Sequence, residues 1–387
     1  MRWYKSGRIS ITAADLALLT NSAFKGKAWT NAEFWMTSGK DYPPISSAVF
    51  FALLSSPPET NPKMLWKRYR EVLEVSNNPE GFYRTHHIMT HGKERVVVEP
   101  LYPLANYQKW ILKNILERIP VTDYAYAYRK GSSLIENARV HQGHSILVKL
   151  DISHFFDSIT YGMIYGVFSD QLHYPREGAT LLANLCCLNG KLPQGTCTSP
   201  YLSNLCFSMA DKEIAAYCEK KQLSYSRYSD DLTFSGDEVD VKELISIVKL
   251  ILQKYGFRMN YKKIHVEGKG RQHRVTGIVC NDKINTPAYY RRRVRQEMYF
   301  LKKHGAKDHL EHMGNPCFFN DNGEMDADAY CASLLGRIAY ILQVDPDREE
   351  FIEYRNYIKE HMARGTDKIK RVSRELSQMS LSTSKDS

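Results

Sequence analysis

The stretch Ser224-Tyr-Ser-Arg-Tyr-Ser-Asp-Asp-Leu-Thr-Phe-Ser235 decides how the rest of the chain is read. Two short β-prone runs, Ser224–Tyr228 and Leu232–Ser235, bracket Ser229-Asp230-Asp231, which predicts a tight hairpin with two carboxylates at its tip. Aspartate suits turns, so the doublet alone could be a turn former. Adjacent like charges are nevertheless unfavourable unless a cation lies between them. Two divalent ions about 4 Å apart would supply that cation, activating an attacking hydroxyl and stabilising a leaving phosphate. Mg²⁺ suits the role because it prefers carboxylate oxygens plus substrate phosphates. A third acid shares the context: the mostly apolar run Ser145–Leu150 predicts a strand that ends directly at Asp151.

Outward from this hairpin the chain is of ordinary globular composition. Its 387 residues are 43% hydrophobic and 25% charged, which excludes disordered and fibrous classes. The longest apolar candidate, Ile45–Leu54, is about half the ~18–20 residues of a membrane span, and no apolar segment follows Met-Arg-Trp-Tyr-Lys at the N-terminus. A cytoplasmic protein without membrane contact is expected. The eight cysteines form no Cys-x-x-Cys pair, so reduced, buried thiols are expected in place of a zinc site or disulfide framework. His304, His309, Glu311 and His312 match no metal-binding spacing and read as a solvated loop. Lys plus Arg number 53 against 43 Asp plus Glu, a net +10, and 25 Tyr, 15 Phe and 5 Trp offer rings for stacking. That balance suits a phosphate backbone without proving one.

The remaining patterns alternate helix and strand. The first ~80 residues read as mainly helical, with apolar stretches at Ala14–Leu19 and Ile45–Leu54 and an amphipathic run from Pro62 to Val75. Strands are predicted at His86–Thr90 and Arg95–Glu99 around His91-Gly92-Lys93, and at Val275–Cys280. Helices are predicted at Leu104–Arg118, Gly178–Leu188, Pro200–Lys220 and again after Pro287, with a Ser- and Lys-containing tail from about Gly365.

Three motifs in order then carry a resemblance. Tyr228-Ser-Asp-Asp231 resembles the Tyr-x-Asp-Asp signature of reverse transcriptases. Asp151-Ile-Ser-His-Phe-Phe-Asp-Ser-Ile159 resembles their upstream aspartate motif, and Leu192-Pro-Gln-Gly-Thr-Cys-Thr-Ser-Pro-Tyr-Leu-Ser-Asn204 their Leu-Pro-Gln-Gly…Ser-Pro segment. Within that group, Asn137-Ala-Arg-Val-His141 and Val275-Thr276-Gly277 resemble the Asn-Ala-x-x-His and Val-Thr-Gly elements of bacterial retron reverse transcriptases. Two departures stand out: Ser229 where Ala is more usual, and Ser132 in Tyr128-Arg-Lys-Gly-Ser-Ser133 where the family has Arg. The resemblance spans about Lys93 to Tyr340.

The resemblance implies an α+β, right-hand polymerase architecture with fingers, a palm of antiparallel sheet plus helices, and a helical thumb. Together with the patterns above it divides the chain into fingers and palm (83–284) and an RNA-binding thumb (285–364), leaving a mainly helical extension (1–82) and a flexible tail (365–387) that the resemblance does not explain. It implies an RNA-directed DNA polymerase in which Asp151, Asp230 and Asp231 hold two Mg²⁺, with Mn²⁺ as an alternative, and attack by a primer hydroxyl on the α-phosphate of a dNTP. Phe156 would exclude a 2′-hydroxyl; because strand side chains alternate, one of Phe155 and Phe156 should be core. Gln194, Gly195, Lys93, Arg95 and Arg129 would meet the nucleotide, as would Lys130, and Lys263 would protonate pyrophosphate. Asp157 reads as structural. Tyr289, Tyr290, Arg291, Arg292, Arg293 and Arg295 would form a cationic, aromatic helix face for structured RNA. Expected partners are a cognate structured non-coding RNA, its DNA product, dNTPs and a separate effector protein in antiphage defence. An intron or diversity-generating reverse transcriptase is the nearest alternative, and an idle RNA-binding scaffold the most distant.

Overall fold

The computed structural model describes residues 62–90, 92–174, 176–313, 318, 326–360 and 362. The apolar stretches expected at Ala14–Leu19 and Ile45–Leu54, and the tail from Gly365, lie outside these residues. Two compact units emerge, one comprising residues up to 133 with 145–269, the other 134–144 with 270 onward.

The first unit is built on a four-stranded sheet of order β4-β5-β3-β6, formed by β3 (Ile146–Asp151), β4 (Ser224–Tyr228), β5 (Asp231–Gly236) and β6 (His265–Glu267). Every pairing is antiparallel. The central strands β3 and β5 are buried along most of their length, so their apolar residues sit on both faces of the sheet. A separate hairpin joins β1 (Tyr83–Thr90) to β2 (Lys93–Pro100), each longer than its sequence pattern suggests.

Helices close the core of this unit. They are α1 (Pro62–Asn77), α2 (Leu104–Asn114), α3 (Tyr161–Gly166), α4 (Arg176–Cys186), α5 (Ser199–Lys220) and α6 (Val241–Lys254). In α6 the buried Leu244, Val248 and Leu252 repeat every four residues, and Asp240 caps the start through the backbone N–H groups of Lys242 (3.1 Å) and Glu243 (3.0 Å). The longest, α5, begins with proline in its first turn and buries residues on most sides, including Leu202, Phe207, Ala210 and Ile214. The described thiols are free, and burial pushes that of Cys186 up to about 12, so it is inert at neutral pH. Cys317 lies outside the described residues.

In the second unit the run Val275–Cys280 is not the single strand its apolar character predicts. It is a minimal hairpin, β7 (Arg274–Val275) and β8 (Ile278–Val279), turning at Thr276 (φ 48°) and Gly277 (φ 87°). Positive φ at both central residues is the geometry a two-residue hairpin loop requires. The helical turn Leu134–Arg139 packs against both strands. Two long helices follow, α7 (Ala288–Met313) and α8 (Ala327–Val344), with further helix over 349–360. They enclose their own core of Val294, Met298, Leu301, Leu310, Tyr330, Leu334, Ile338 and Phe351. His309 and its neighbours are therefore helical, not a solvated loop: His309 is buried, with its ring stacked on Phe300 at 5.3 Å. Among the described residues no helix is long and apolar enough to cross a membrane.

Candidate active site

Sheet register brings the acids together. Asp151, the last residue of β3, is the direct cross-strand partner of Asp231, the first residue of β5. Asp230 precedes it in the turn, and its carbonyl accepts the Ile152 N–H at 3.0 Å, holding the two chain segments side by side. The residue before it, Ser229, adopts a left-handed conformation (φ 59°) and is buried. A side-chain-bearing residue is uncommon there and persists only where the surroundings over-determine it.

Those surroundings centre on Arg227, which is wholly buried. Its guanidinium donates through Nε and Nη2 to the two carboxylate oxygens of Asp211 on α5, at 2.8 and 2.7 Å. Its Nη1 donates to Asn204 Oδ1 and to the Ser229 carbonyl, both at 3.1 Å. Tyr225 and Thr122 hydroxyls complete the Asp211 carboxylate at 2.8 Å each, and the guanidinium lies 4.6 Å over the Phe207 ring. Bidentate pairing with every remaining acceptor filled is the condition under which a buried ion pair is tolerable. Asn204 also donates to the Ala127 carbonyl at 2.8 Å, so the same network anchors the chain at 124–128.

The carboxylates are electrostatically poised. Burial, reinforced by Asp230 and Asp151, raises Asp231 to about 6, and burial together with Asp151 raises Asp230. Asp151 is buried and both its oxygens are engaged. Lys263 Nζ donates to Oδ1 at 2.6 Å and Asn260 Nδ2 to Oδ2 at 3.0 Å, while the Asn260 N–H donates to the Asp151 carbonyl at 2.8 Å. Among the described residues no three His, Cys, Asp or Glu side chains are gathered as a ligand set. The aspartates are thus neighbours with surplus charge, not a finished cage. That donor set fits Mg²⁺, which keeps several waters and takes the rest of its shell from substrate phosphates.

The other expected residues divide. Phe155 is core and Phe156 half-buried, yet they occupy one helical turn (Phe155–Ser158), so the strand alternation invoked to separate them does not apply. Gly195 (φ 111°) presses on β2: an added Cβ would lie 2.4 Å from the Val98 carbonyl and 2.5 Å from Val97 Cγ1. Beside it the Gln194 carbonyl accepts the Val98 N–H at 2.8 Å. Lys93 and Arg95 lie on β2, Arg95 exposed. Arg129 pairs with Asp123 at 2.8 Å and lies over the Tyr126 ring. Ser132 donates to the carbonyls of Tyr126 (2.9 Å) and Arg129 (2.8 Å), a turn-closing role that accounts for a small hydroxyl there.

In the second unit the elements of Asn137/His141 and Val275/Thr276/Gly277 meet across the helix–hairpin contact, with Asn137, His141 and Val275 buried. Burial holds His141 down to about 3, so its imidazole is neutral. The basic stretch of α7 is only partly free. Arg295 is committed to Glu350 (Nε to Oε1 2.7 Å, Nη2 to Oε2 2.8 Å), Arg291 to Asn285 at 2.7 Å and to the Thr286 carbonyl, and Tyr290 packs edge-on against Tyr340. Tyr289, Arg292 and Arg293 are exposed, Arg293 within 3.3 Å of Glu297. Arg227, Asp211, Asn204 and Asn260 had no role in the sequence reading; a buried arginine and aspartate leave no periodic signal.

With this geometry in hand, comparison with known proteins is direct. The family model described as "Reverse transcriptase (RNA-dependent DNA polymerase)" matches residues 90–280. The chain is 30% identical over 236 residues to the retron Ec86 reverse transcriptase of Escherichia coli, covering 60% of this chain and 73% of that one. It is 33% identical over 220 residues to the retron Mx162 reverse transcriptase of Myxococcus xanthus, covering 49% and 45%. A solved telomerase from Candida albicans, bound to a fragment of telomeric RNA, overlaps loosely: TM-score 0.40 at 12% identity, over 77% of this chain and 64% of the other. The chain is an RNA-directed DNA polymerase by class. It belongs to the bacterial retron reverse transcriptase family. That class brings a divalent-metal requirement and an RNA template.

Proposed function

We propose that the sheet unit is the palm of a right-hand polymerase, that β1–β2 belongs to the fingers, and that α7 and α8 form the thumb. The cross-strand pair Asp151–Asp231 with Asp230 beside it carries this reading. These three side chains would hold the divalent ions, which supply a lowered hydroxyl pKa on the primer and charge compensation on the leaving pyrophosphate. Lys263, already charged and within reach of Asp151, moves to the pyrophosphate and gives up its proton there. The ring of Phe156 excludes a 2′-hydroxyl, while Arg95, Lys93 and Arg129 receive the triphosphate and Gln194–Gly195 hold the hairpin against the nucleotide.

On its own structured RNA the enzyme begins from the 2′-hydroxyl of an internal guanosine and leaves single-stranded DNA joined to RNA, acting in phage defence beside a separate effector. Tyr289, Arg292 and Arg293 offer the exposed part of the RNA-binding face. The test is a labelled-dNTP reaction with purified protein and RNA from the neighbouring locus, followed by RNase and debranching. The expected product is DNA attached to a guanosine 2′-oxygen, made without an added primer and absent with Asp230→Asn. Free DNA made equally on any primed template would refute the retron specificity and leave the polymerase assignment standing.

A further inference from the structure

Tyr128 touches both Phe156 and the turn that carries Asp230 and Asp231, and no role has yet been given to it. Its backbone is left-handed at φ 60°, a conformation that costs energy for a residue with a bulky side chain. The chain on its N-terminal side is pinned. The Arg227 N–H donates to the Tyr124 carbonyl at 2.7 Å, the Tyr126 N–H to the Arg227 carbonyl at 2.8 Å, and Asn204 holds the Ala127 carbonyl. The segment therefore runs beside β4 and delivers Tyr128 to the turn after it. There the phenol donates to Ser229 Oγ at 3.3 Å, and the Ser229 side chain in turn hydrogen-bonds Asp230. The Tyr128 ring meets Phe156 edge-on, centroids 6.5 Å apart with an interplanar angle of 65°. Despite these contacts Tyr128 remains 43% exposed. A strained, pinned aromatic that still presents much of its surface to solvent is arranged to meet something.

We propose that Tyr128 is a substrate-selecting residue: its ring forms a second wall of the sugar site beside Phe156, and its hydroxyl fastens that wall to the catalytic turn through Ser229. The occupant is the incoming deoxynucleoside triphosphate, whose sugar lies against the two rings. This deepens the polymerase reading and rests on Phe156 lining the sugar site. Releasing the Tyr128 hydroxyl leaves the carboxylates supported, since Arg227 holds the Ser229 carbonyl and the Ser229 side chain keeps its bond to Asp230. Loosening the wall therefore affects substrate binding, because the ring must be ordered anew for each nucleotide, and leaves the chemical step alone.

Single-nucleotide insertion of dGTP and GTP on a primed RNA template tests this in the full-length chain. Tyr128→Phe keeps the wall and loses the fastening. An ordinary hydrogen bond corresponds to about a fivefold rise in KM for dGTP, with kcat unchanged. Ser229→Ala loses the same fastening together with the Ser229 bond to Asp230, so the rise in KM should be at least as large, and adding Tyr128→Phe to it should raise KM no further. Tyr128→Ala removes the wall, and discrimination against GTP should fall by roughly tenfold. Both tyrosine variants alter an exposed side chain, so melting temperatures should stay at the wild-type value; a structural role would move melting and kcat together. Additive effects of Tyr128→Phe and Ser229→Ala, or wild-type KM for both, would overturn the fastening. Phe156→Ala serves as the reference. If it relaxes sugar selection and Tyr128→Ala does not, the second wall is wrong and the gate survives. If neither relaxes it, both readings fall. If Tyr128→Ala alone relaxes it, Tyr128 is the selecting wall and the gate assignment to Phe156 fails.

Discussion

The β4–β5 hairpin that carries Asp230 and Asp231 and the β1–β2 hairpin are both antiparallel strand pairs in the same unit, and they are stabilised in opposite ways. Behind the turn, the buried Arg227, Asp211, Asn204 and Tyr225 satisfy one another, and the half-buried Thr122 hydroxyl completes the set. The hairpin exposes nearly all of β1, and its polar side chains pair across the strands at the surface, His86 with Glu99 at 2.9 Å and His87 with Glu94 at 2.7 Å. Ile88, Met89 and Val96 are left exposed there. Carboxylates that are to hold metal, the role proposed for these three, must be kept within a fraction of an ångström, which a saturated buried network achieves. If the hairpin is the fingers surface proposed above, the exposed Arg95 and the uncovered apolar side chains are what a nucleic acid would meet.

The comparison breaks first at Arg227. Arg227→Met leaves Asp211 buried and unpaired, which costs about 3–5 kcal/mol, a large share of the ~5–15 kcal/mol that holds an ordinary domain together. Urea unfolding should show the lowered midpoint, and primer extension should be lost with it. Arg227→Lys keeps the charge but not the fork, so it should fold and still lose at least about tenfold in extension rate. Wild-type extension by the lysine variant would mean that Ser229 is held by something else.

An intermediate effect is expected where the hairpin is fastened. Gly195→Ala drives a Cβ into the Val98 carbonyl and Val97, at a φ of 111° that alanine resists. The strand must retreat, breaking the Val98 N–H bond to Gln194, at a cost of roughly 1–3 kcal/mol. Hydrogen exchange at the Val98 amide should accelerate while exchange in β3 and β5 does not. By contrast Glu99→Gln, which removes a surface partner of His86 and Arg84, should change stability by less than about 1 kcal/mol in thermal melts. If Glu99→Gln costs as much as Gly195→Ala, the surface pairs hold the hairpin as firmly as its contact with Gly195 does, and the contrast with the buried network fails.

What the sequence disclosed follows the same division. The three aspartates stood out as strand-end acids and an Asp-Asp turn between clear strand and turn signals, but only the three ordered motifs resembling reverse transcriptases gave them a role. The network behind them did not stand out, since Arg227 and Asp211 carry residue types that normally read as surface, and only the fold shows them facing each other. Val275–Cys280 misled for a local reason: its apolar run hides a Thr-Gly turn whose left-handed geometry is a tertiary fact. His304 to His312 misled through composition, because polar residues on a helix that packs through Leu301, Ala306 and Leu310 resemble a loop. Arg291 and Arg295 look free in sequence and are engaged in the structure by Asn285 and Glu350.

The smallest expected effect sharpens the comparison at the carboxylates themselves. Asp231 titrates near 6 in the folded metal-free protein, above its usual value of 3.8, because burial and the charges of Asp230 and Asp151 oppose its ionisation. Below the ordinary value it is neutral in both folded and unfolded chains and costs nothing. As pH rises toward 6 the unfolded chain ionises first, so folding becomes less favourable, and above about 6 the full penalty remains. Asp231→Asn removes that penalty. In chelator at pH 7.5 the variant should melt slightly higher than wild type, by at most a few degrees for a unit of this size. At pH 3, below that ordinary value, the two should coincide. Mg²⁺ should raise the melting temperature of the wild type more than that of the variant, and more at pH 7.5 than at pH 5.5, because the cation needs the ionised carboxylate. A variant that melts lower than wild type in chelator at neutral pH would place Asp231 among the stabilising groups, with Arg227 and Asp211, and remove it from the set whose charge waits for a metal.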